Sequence, residues 1–204
     1  GLDATTGGYV EIAGGRRFSR SRDVRRRIAA GIALVPEDRK SQGIVLSQPI
    51  RHNLVLSCLR AITRLGFLDR RAERDLSDRS RVATDIQGGS LDDPASSLSG
   101  GNQQKVVLAR CMNAGARVLL LDEPTRGVDI HSKHQIYDLI ASLANDGCAV
   151  LVVSSEYEEL LQNCDRIVVV DEGEITGEID PNTPLDQLLA AIMRPNVTER
   201  QRAS

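Results

Sequence analysis

Tryptophan is absent from the chain, and there are only three tyrosines and two phenylalanines. That leaves too few rings for a base-stacking platform of the kind that holds single-stranded nucleic acid. An excess of positive charge is missing as well. Lys and Arg number 26 against 28 Asp and Glu, a formal charge of −2, so nucleic acid is not expected as a partner. The four cysteines (Cys58, Cys111, Cys148, Cys164) form no C-x-x-C and fall at no metal-ligand spacing with His52, His131 or His134. They read as reduced thiols, mostly in the core of a cytosolic protein. Apolar runs such as "CAVLVVSS" and "RVLLLD" are strand-length, far short of a membrane span. No signal peptide is visible. Nor is there an initiator methionine, since the chain opens on Gly1 and its methionines are Met112 and Met193, which predicts a piece of a longer protein. Finally, G-x-x-x-x-G-K-[ST] is missing. The lysines are Lys40, Lys105 and Lys133, and none follows a glycine.

What is present has the periodicity of an α/β protein. "GGYVEIAGG" reads as a short strand between turns, "RSRDVRRRIAAG" as a helix stopped at Gly31, and "IALVP" as a buried strand ending at Pro36. The seven arginines from Arg16 to Arg27 read first as a solvated face, with an acidic-lipid or nucleic-acid patch as the alternative. Residues 44–95 are charged and helical in period, which suggests a lobe with a modest core. From Arg117 onward strand-like and helical runs alternate through "RVLLLD", "HSKHQIYDLIASLAND", "CAVLVVSS", "EYEELLQNC" and "RIVVVDEG". Continuous apolar strands between helices predict a parallel sheet covered on both faces. "GEITGEI" reads as a closing strand, and "TPLDQLLAAIM" as a last helix with Thr183 as N-cap.

Two stretches carry chemistry. In "RVLLLDEPTRGVD", Asp122 and Glu123 emerge at the carboxyl end of a buried strand, where open α/β sheets bind ligands. Asp122 suits Mg²⁺, a hard cation that takes oxygen ligands. Glu123 suits the orienting or deprotonation of an attacking water. Asp129 lies just before the next helix. In "LSGGNQQ", Ser99 offers a hydroxyl and a helix cap, while Gly100 and Gly101 let an anion approach the backbone at the positive end of a helix. Taken singly, the first also fits an acidic strand end that only caps a loop, and the second an ordinary Ser-Gly helix start.

Together and in this order, "LSGGNQQKVVLAR" and "VLLLDEPTRGVD" resemble the signature motif and the Walker B strand with D-loop of the ATP-binding cassette (ABC) family. "VPEDRK", "GNQQKVVLAR", "DEPTRGVD" and "SSEYEELLQNCDRI" are similar to the second cassette of the fused, two-cassette ATPases of bacterial sugar importers (the ribose, xylose, galactose and autoinducer-2 group). The resemblance implies an α/β fold: a partial P-loop NTPase core with a mostly parallel sheet, over residues 1–43 and 116–195. It adds a helical lobe over 44–115 that ends in the signature helix, and a tail over 196–204. The first cassette and the Walker A strand, loop and helix would lie upstream of Gly1. ATP and Mg²⁺ are the implied cofactors. The implied partners are a second cassette, fused or separate, membrane permease subunits and, indirectly, a sugar-binding protein. The implied location is peripheral, on the cytoplasmic face of the bacterial inner membrane.

In that family each ATP lies between the Walker elements of one cassette and the signature of the other. Ser99, Gly100, Gly101 and Gln103 would therefore close on ATP held by the partner cassette, with Asp129 in the D-loop. Asp122 would hold Mg²⁺ and Glu123 would act on water at this chain's own site. Two positions depart from the common pattern. Glu37 stands at the Q-loop glutamine, and it cannot donate an amide hydrogen bond. Ser155 stands at the switch histidine, and it is too short to reach as an imidazole does. Without a phosphate loop these 204 residues alone are expected not to hydrolyse ATP. Two other readings stay open: a degenerate, non-catalytic cassette that completes another protein's site, and an ABC ATPase not engaged in transport.

Overall fold

The computed structural model describes residues 7–12, 16–18 and 24–184. They fall in two compact units, Gly1–Val153 and Ser154–Ser204. In the first unit, β1 (Val10–Ile12) and β2 (Arg16–Phe18) pair antiparallel. Helix α1 (Val24–Ala29) ends at Gly31, whose φ of +89° is the left-handed conformation that stops a helix without a Cβ penalty. Then β3 (Ile32–Val35), β6 (Val118–Asp122) and β7 (Ala149–Val153) form a parallel sheet in the order β3-β6-β7.

Between β3 and β6 lie α2 (Ile50–Val55), a small hairpin of β4 (Thr63–Arg64) and β5 (Phe67–Leu68), α3 (Arg70–Ala83) and α4 (Gly100–Asn113). The hairpin departs from the all-helical reading of this stretch. Its turn is Leu65-Gly66, both at positive φ (+49° and +85°). Leucine rarely adopts that conformation, so the usual Asn-Gly signal is missing from the sequence. α5 (Ile130–Asn145) joins β6 to β7 as a crossover helix.

The core of this unit is one cluster. It joins Val35, Leu119 and Leu121 of the sheet to Val107 and Leu108 of α4, Ile136 and Ile140 of α5, and Ile50 and Leu54 of α2. All of the sheet residues named there are on one face. The other face carries Leu34, Leu151 and Val153, which are 44%, 59% and 55% exposed. Continuous apolar strands predicted cover on both faces, but among the described residues α4 and α5 pack on one side only.

In the second unit, α6 (Tyr157–Asn163) precedes β8 (Ile167–Asp171) and β9 (Glu174–Ile179). β8 pairs antiparallel with β9 through the tight turn at Glu172-Gly173, both at positive φ. Ile167 and Ile179 form a small core with Leu160, Leu161 and Val169 packed against it. Arg166 clamps Glu178 through two bonds of 2.6 Å. The expected helix over "TPLDQLLAAIM" lies almost wholly outside the described residues. Among the described residues no helix is long and apolar enough to cross a membrane.

Candidate functional site

Strand β6 delivers the two carboxylates. Its residues alternate between half-buried and buried, with Leu119 and Leu121 in the core, so Asp122 shares the exposed face with Leu120. Glu123 follows at φ +47°. A left-handed backbone costs a non-glycine residue about 1–2 kcal/mol, so the surroundings must hold it there. They do so through its N–H, which donates to the Val153 carbonyl at 2.8 Å, and through its own carbonyl, which accepts from Arg126 N–H at 3.1 Å. Thr125 is buried beneath the turn. The chain is thus bent sharply at the strand end, and the acid pair is presented at the rim of the sheet.

Asp129 is the N-cap of α5. Its carboxylate accepts from Ser132 N–H at 2.9 Å and from Ser132 Oγ at 2.7 Å. The backbone and hydroxyl bonds from Ser132 hold its pKa below the usual carboxylate value. Ser99 caps α4 in the same way, accepting from Asn102 N–H at 3.4 Å and from Asn102 Nδ2 at 3.0 Å. Both caps answer the unpaired N–H groups of a helix start.

The start of α4 and the loop before α5 are pressed together. A Cβ built on Gly101 would fall 2.5 Å from both Cβ and Oγ of Ser132. A Cβ on Gly100 would fall 2.7 Å from Arg39 Nη2 and 3.3 Å from the Gly127 carbonyl. The two glycines therefore serve close packing within the chain, a reason for them that the phosphate argument did not contain.

Gln103 is turned inward. It is 6% exposed, and its amide donates to Leu98 O at 3.0 Å and Ala95 O at 3.4 Å. It holds the loop that leads into the signature. The next polar residues do the same work. Asn102 Oδ1 accepts from Gln87 N–H at 2.7 Å, and the buried Lys105 donates to Asp85 O at 2.8 Å.

Glu37 is exposed after β3 and ion-paired with Arg126. Ser155 is exposed and lies before α6 in the second unit, so it is placed by itself and not against the residues above. Sequence reasoning missed Arg39, Arg126, Lys105 and Ser132, although "VPEDRK" and "DEPTRGVD" contain the first two.

For ATP with Mg²⁺ the residues fit. Mg²⁺ keeps several waters and takes one or two carboxylates together with substrate phosphates, so a half-exposed Asp122 suits it without a cage of acids. Among the described residues no group of three or more His, Cys, Asp and Glu gathers. His131 and His134 engage within their helix, His134 Nδ1 with Ile130 O at 2.8 Å and His131 Nε2 with Gln135 Nε2 at 3.2 Å. All four cysteines are free, but only Cys111 is buried, where desolvation raises its pKa to about 11.

Comparison with known proteins gives one answer. The family model described as ABC transporter matches residues 1–126. The chain is 46% identical over 205 residues to a putative ribose/galactose/methyl galactoside import ATP-binding protein 1 of Rhizobium meliloti (strain 1021), covering 100% of this chain and 40% of that protein. It is 52% identical over 148 residues to the ribose import ATP-binding protein RbsA 2 of Rubrobacter xylanophilus, covering 72% of this chain and 28% of that one. The chain thus spans well under half the length of these relatives. Among solved structures, the bacterial ABC transporter cassette MJ0796, determined as a dimer, superposes with a TM-score of 0.70 at 22% identity, over 89% of this chain and 77% of that one. The fold is that of an ABC ATPase cassette, and the chain belongs to the ABC transporter family.

Proposed function

We propose that this chain is part of the ATP-hydrolysing component of a bacterial ABC-type sugar importer, at the cytoplasmic face of the inner membrane. It would couple ATP hydrolysis to uptake through permease subunits. The observation that carries this reading is the start of α4. Ser99 caps and Gly100 opens a 14-residue helix whose start lies at the surface, braced from behind by Arg39 and the loop before α5. A helix start of this kind suits the phosphates of a nucleotide held by another cassette. The names of the sugar-import relatives support the substrate class.

In this reading Ser99, Gly100 and Gly101 face the partner's ATP, with Asp129 fixing the loop beside them. Asp122 binds Mg²⁺ at this chain's own site and Glu123 positions or deprotonates the attacking water. The cation would supply charge neutralisation on the phosphates. Ser155 stands where a γ-phosphate sensor is expected. The domain division at residues 44 and 115 and the roles of Glu37 and Ser155 belong to the same proposal.

A second reading has one observation in its favour. Glu37 is committed to Arg126 by an ion pair. A site with that glutamate so engaged can bind nucleotide without turning it over, so that hydrolysis occurs only at the site this chain closes for its partner. Glu123→Gln in the full-length protein separates the two. The first reading expects ATP turnover to fall about a hundredfold or more, as loss of a general base does. Unchanged turnover would reject it in favour of the second.

A further inference from the structure

Arg39 links three segments that are far apart in the sequence. Its backbone is fixed first. Asp38 accepts from Lys40 N–H at 3.1 Å, Ser41 N–H at 3.2 Å and Ser41 Oγ at 2.7 Å, which caps the single helical turn Arg39–Gly43. From there the guanidinium crosses to the loop after β6. Nη1 donates to Arg126 O at 2.8 Å and Nη2 to Gly127 O at 3.4 Å. Arg126 returns the contact through its own guanidinium, which pairs with Glu37. The two segments therefore clasp each other in both directions. The third segment is the start of α4, since Gly100 lies so close that a Cβ there would strike Arg39 Nη2.

The clasp has features of a built contact. Arg39 Nε is buried with no acceptor, and desolvation lowers the pKa of the group. A buried donor left unpaired costs stability, so the side chain is held there by its geometry. Gly127 takes φ +66°, which turns its carbonyl and that of Arg126 toward the guanidinium without a Cβ in the way.

On the reading under Proposed function, Glu37, Asp122 and Glu123 serve one ATP, and Ser99 to Gly101 serve the other. We infer that Arg39 is a positioning residue that ties these two half-sites together within the chain, so that the loop at one ATP sets the place of the signature at the other. Arg39 acts through the carbonyls of residues 126 and 127 and through its contact with Gly100. A flexible lysine cannot reproduce it, because a point donor reaches one carbonyl where the planar fork reaches both.

The test uses the full-length protein with its partner cassette, and compares Arg39→Ala, Arg39→Lys, Gly100→Ala and the double variant Arg39→Ala with Gly100→Ala. Arg39→Ala is expected to lower kcat for ATP about tenfold to a hundredfold while KM stays within about twofold, the pattern of lost positioning at intact binding. Amide hydrogen exchange at residues 126–129 and 100–103 is expected to speed up, with Arg39→Lys in between on both counts. In thermal stability, Gly100→Ala is expected to cost less in the Arg39→Ala background than in the wild type, because the Nη2 it would strike is gone and the Gly127 carbonyl at 3.3 Å remains. Wild-type kcat in Arg39→Ala would overturn the tie, as would a rise in KM alone or full additivity of the two substitutions in thermal stability. If the wild-type protein hydrolyses no ATP, the proposed function fails, and the exchange rates and the non-additivity in thermal stability still decide the tie.

Discussion

The two faces of the parallel sheet are built from the same kinds of residue and meet opposite fates. Val35, Leu121 and Val152 are neighbours in register, and so are Leu34, Leu120 and Leu151. The first row lies against the core, with Val35 and Leu121 at 0% and 1% exposure. The second row is open at Leu34 and Leu151. The covered face carries α4, whose start is the signature. The open face ends in Asp122. The start of α4 is therefore packed, capped and braced, while Asp122 stands at the edge of a face that the described helices leave bare.

Substitutions sharpen this contrast. Leu121→Ala is expected to cost about 2–5 kcal/mol of stability in urea unfolding, the range for a large residue removed from a tight core. Equal costs on both faces would break the comparison. Gly101→Ala comes next, at about 1–3 kcal/mol. Its Cβ meets Ser132 at a Cβ held by the helix start and an Oγ held by Asp129, neither of which can swing aside freely. A variant as stable as wild type would show that the helix start and the loop are not in contact.

The Asp129 cap gives a pH signature. Its pKa is lowered in the folded chain, chiefly by the Ser132 backbone and hydroxyl bonds. The stabilisation is therefore present above the unfolded value of 3.8 and lost as pH falls through the lower folded value. Amide protection in the first turn of α5 is expected to hold at pH 5 and above, as set by that direction, and to fade in stronger acid. Asp129→Asn, which retains a capping oxygen but no titration, is expected to flatten that profile. The smallest effect belongs to the open face, where Leu151→Gln is expected to change stability by no more than about 0.5 kcal/mol.

Much of this was legible in the sequence because it is local. The strand runs, the crossover helix after Asp129, the Ser99 cap and the stop at Gly31 all follow from spacing and from residues within a turn of one another. The rest is tertiary. Whether "VLLLD" and "AVLVV" are covered on one face or two depends on which helices reach them, and an apolar run looks the same in either case. Gln103 and Lys105 are polar yet buried, because α4 packs in the core and their heads find carbonyls there instead of water. The polarity of Gln103 in the signature run pointed to a ligand. Arg39 and Arg126 reach each other across 87 positions, a contact that no periodicity announces. The clasp they form is visible only once β3 and β6 lie side by side.

The central claim is that the start of α4 acts on a nucleotide held elsewhere. Its most direct test is ATP turnover by the full-length protein carrying Ser99→Arg, with bound ATP counted in the same sample. A bulky cation in place of the capping hydroxyl is expected to lower turnover about a hundredfold, the loss typical when a preorganised donor is removed from a transferring phosphate, while ATP remains bound. Unchanged turnover, or a loss that tracks the loss of bound ATP, would contradict the claim.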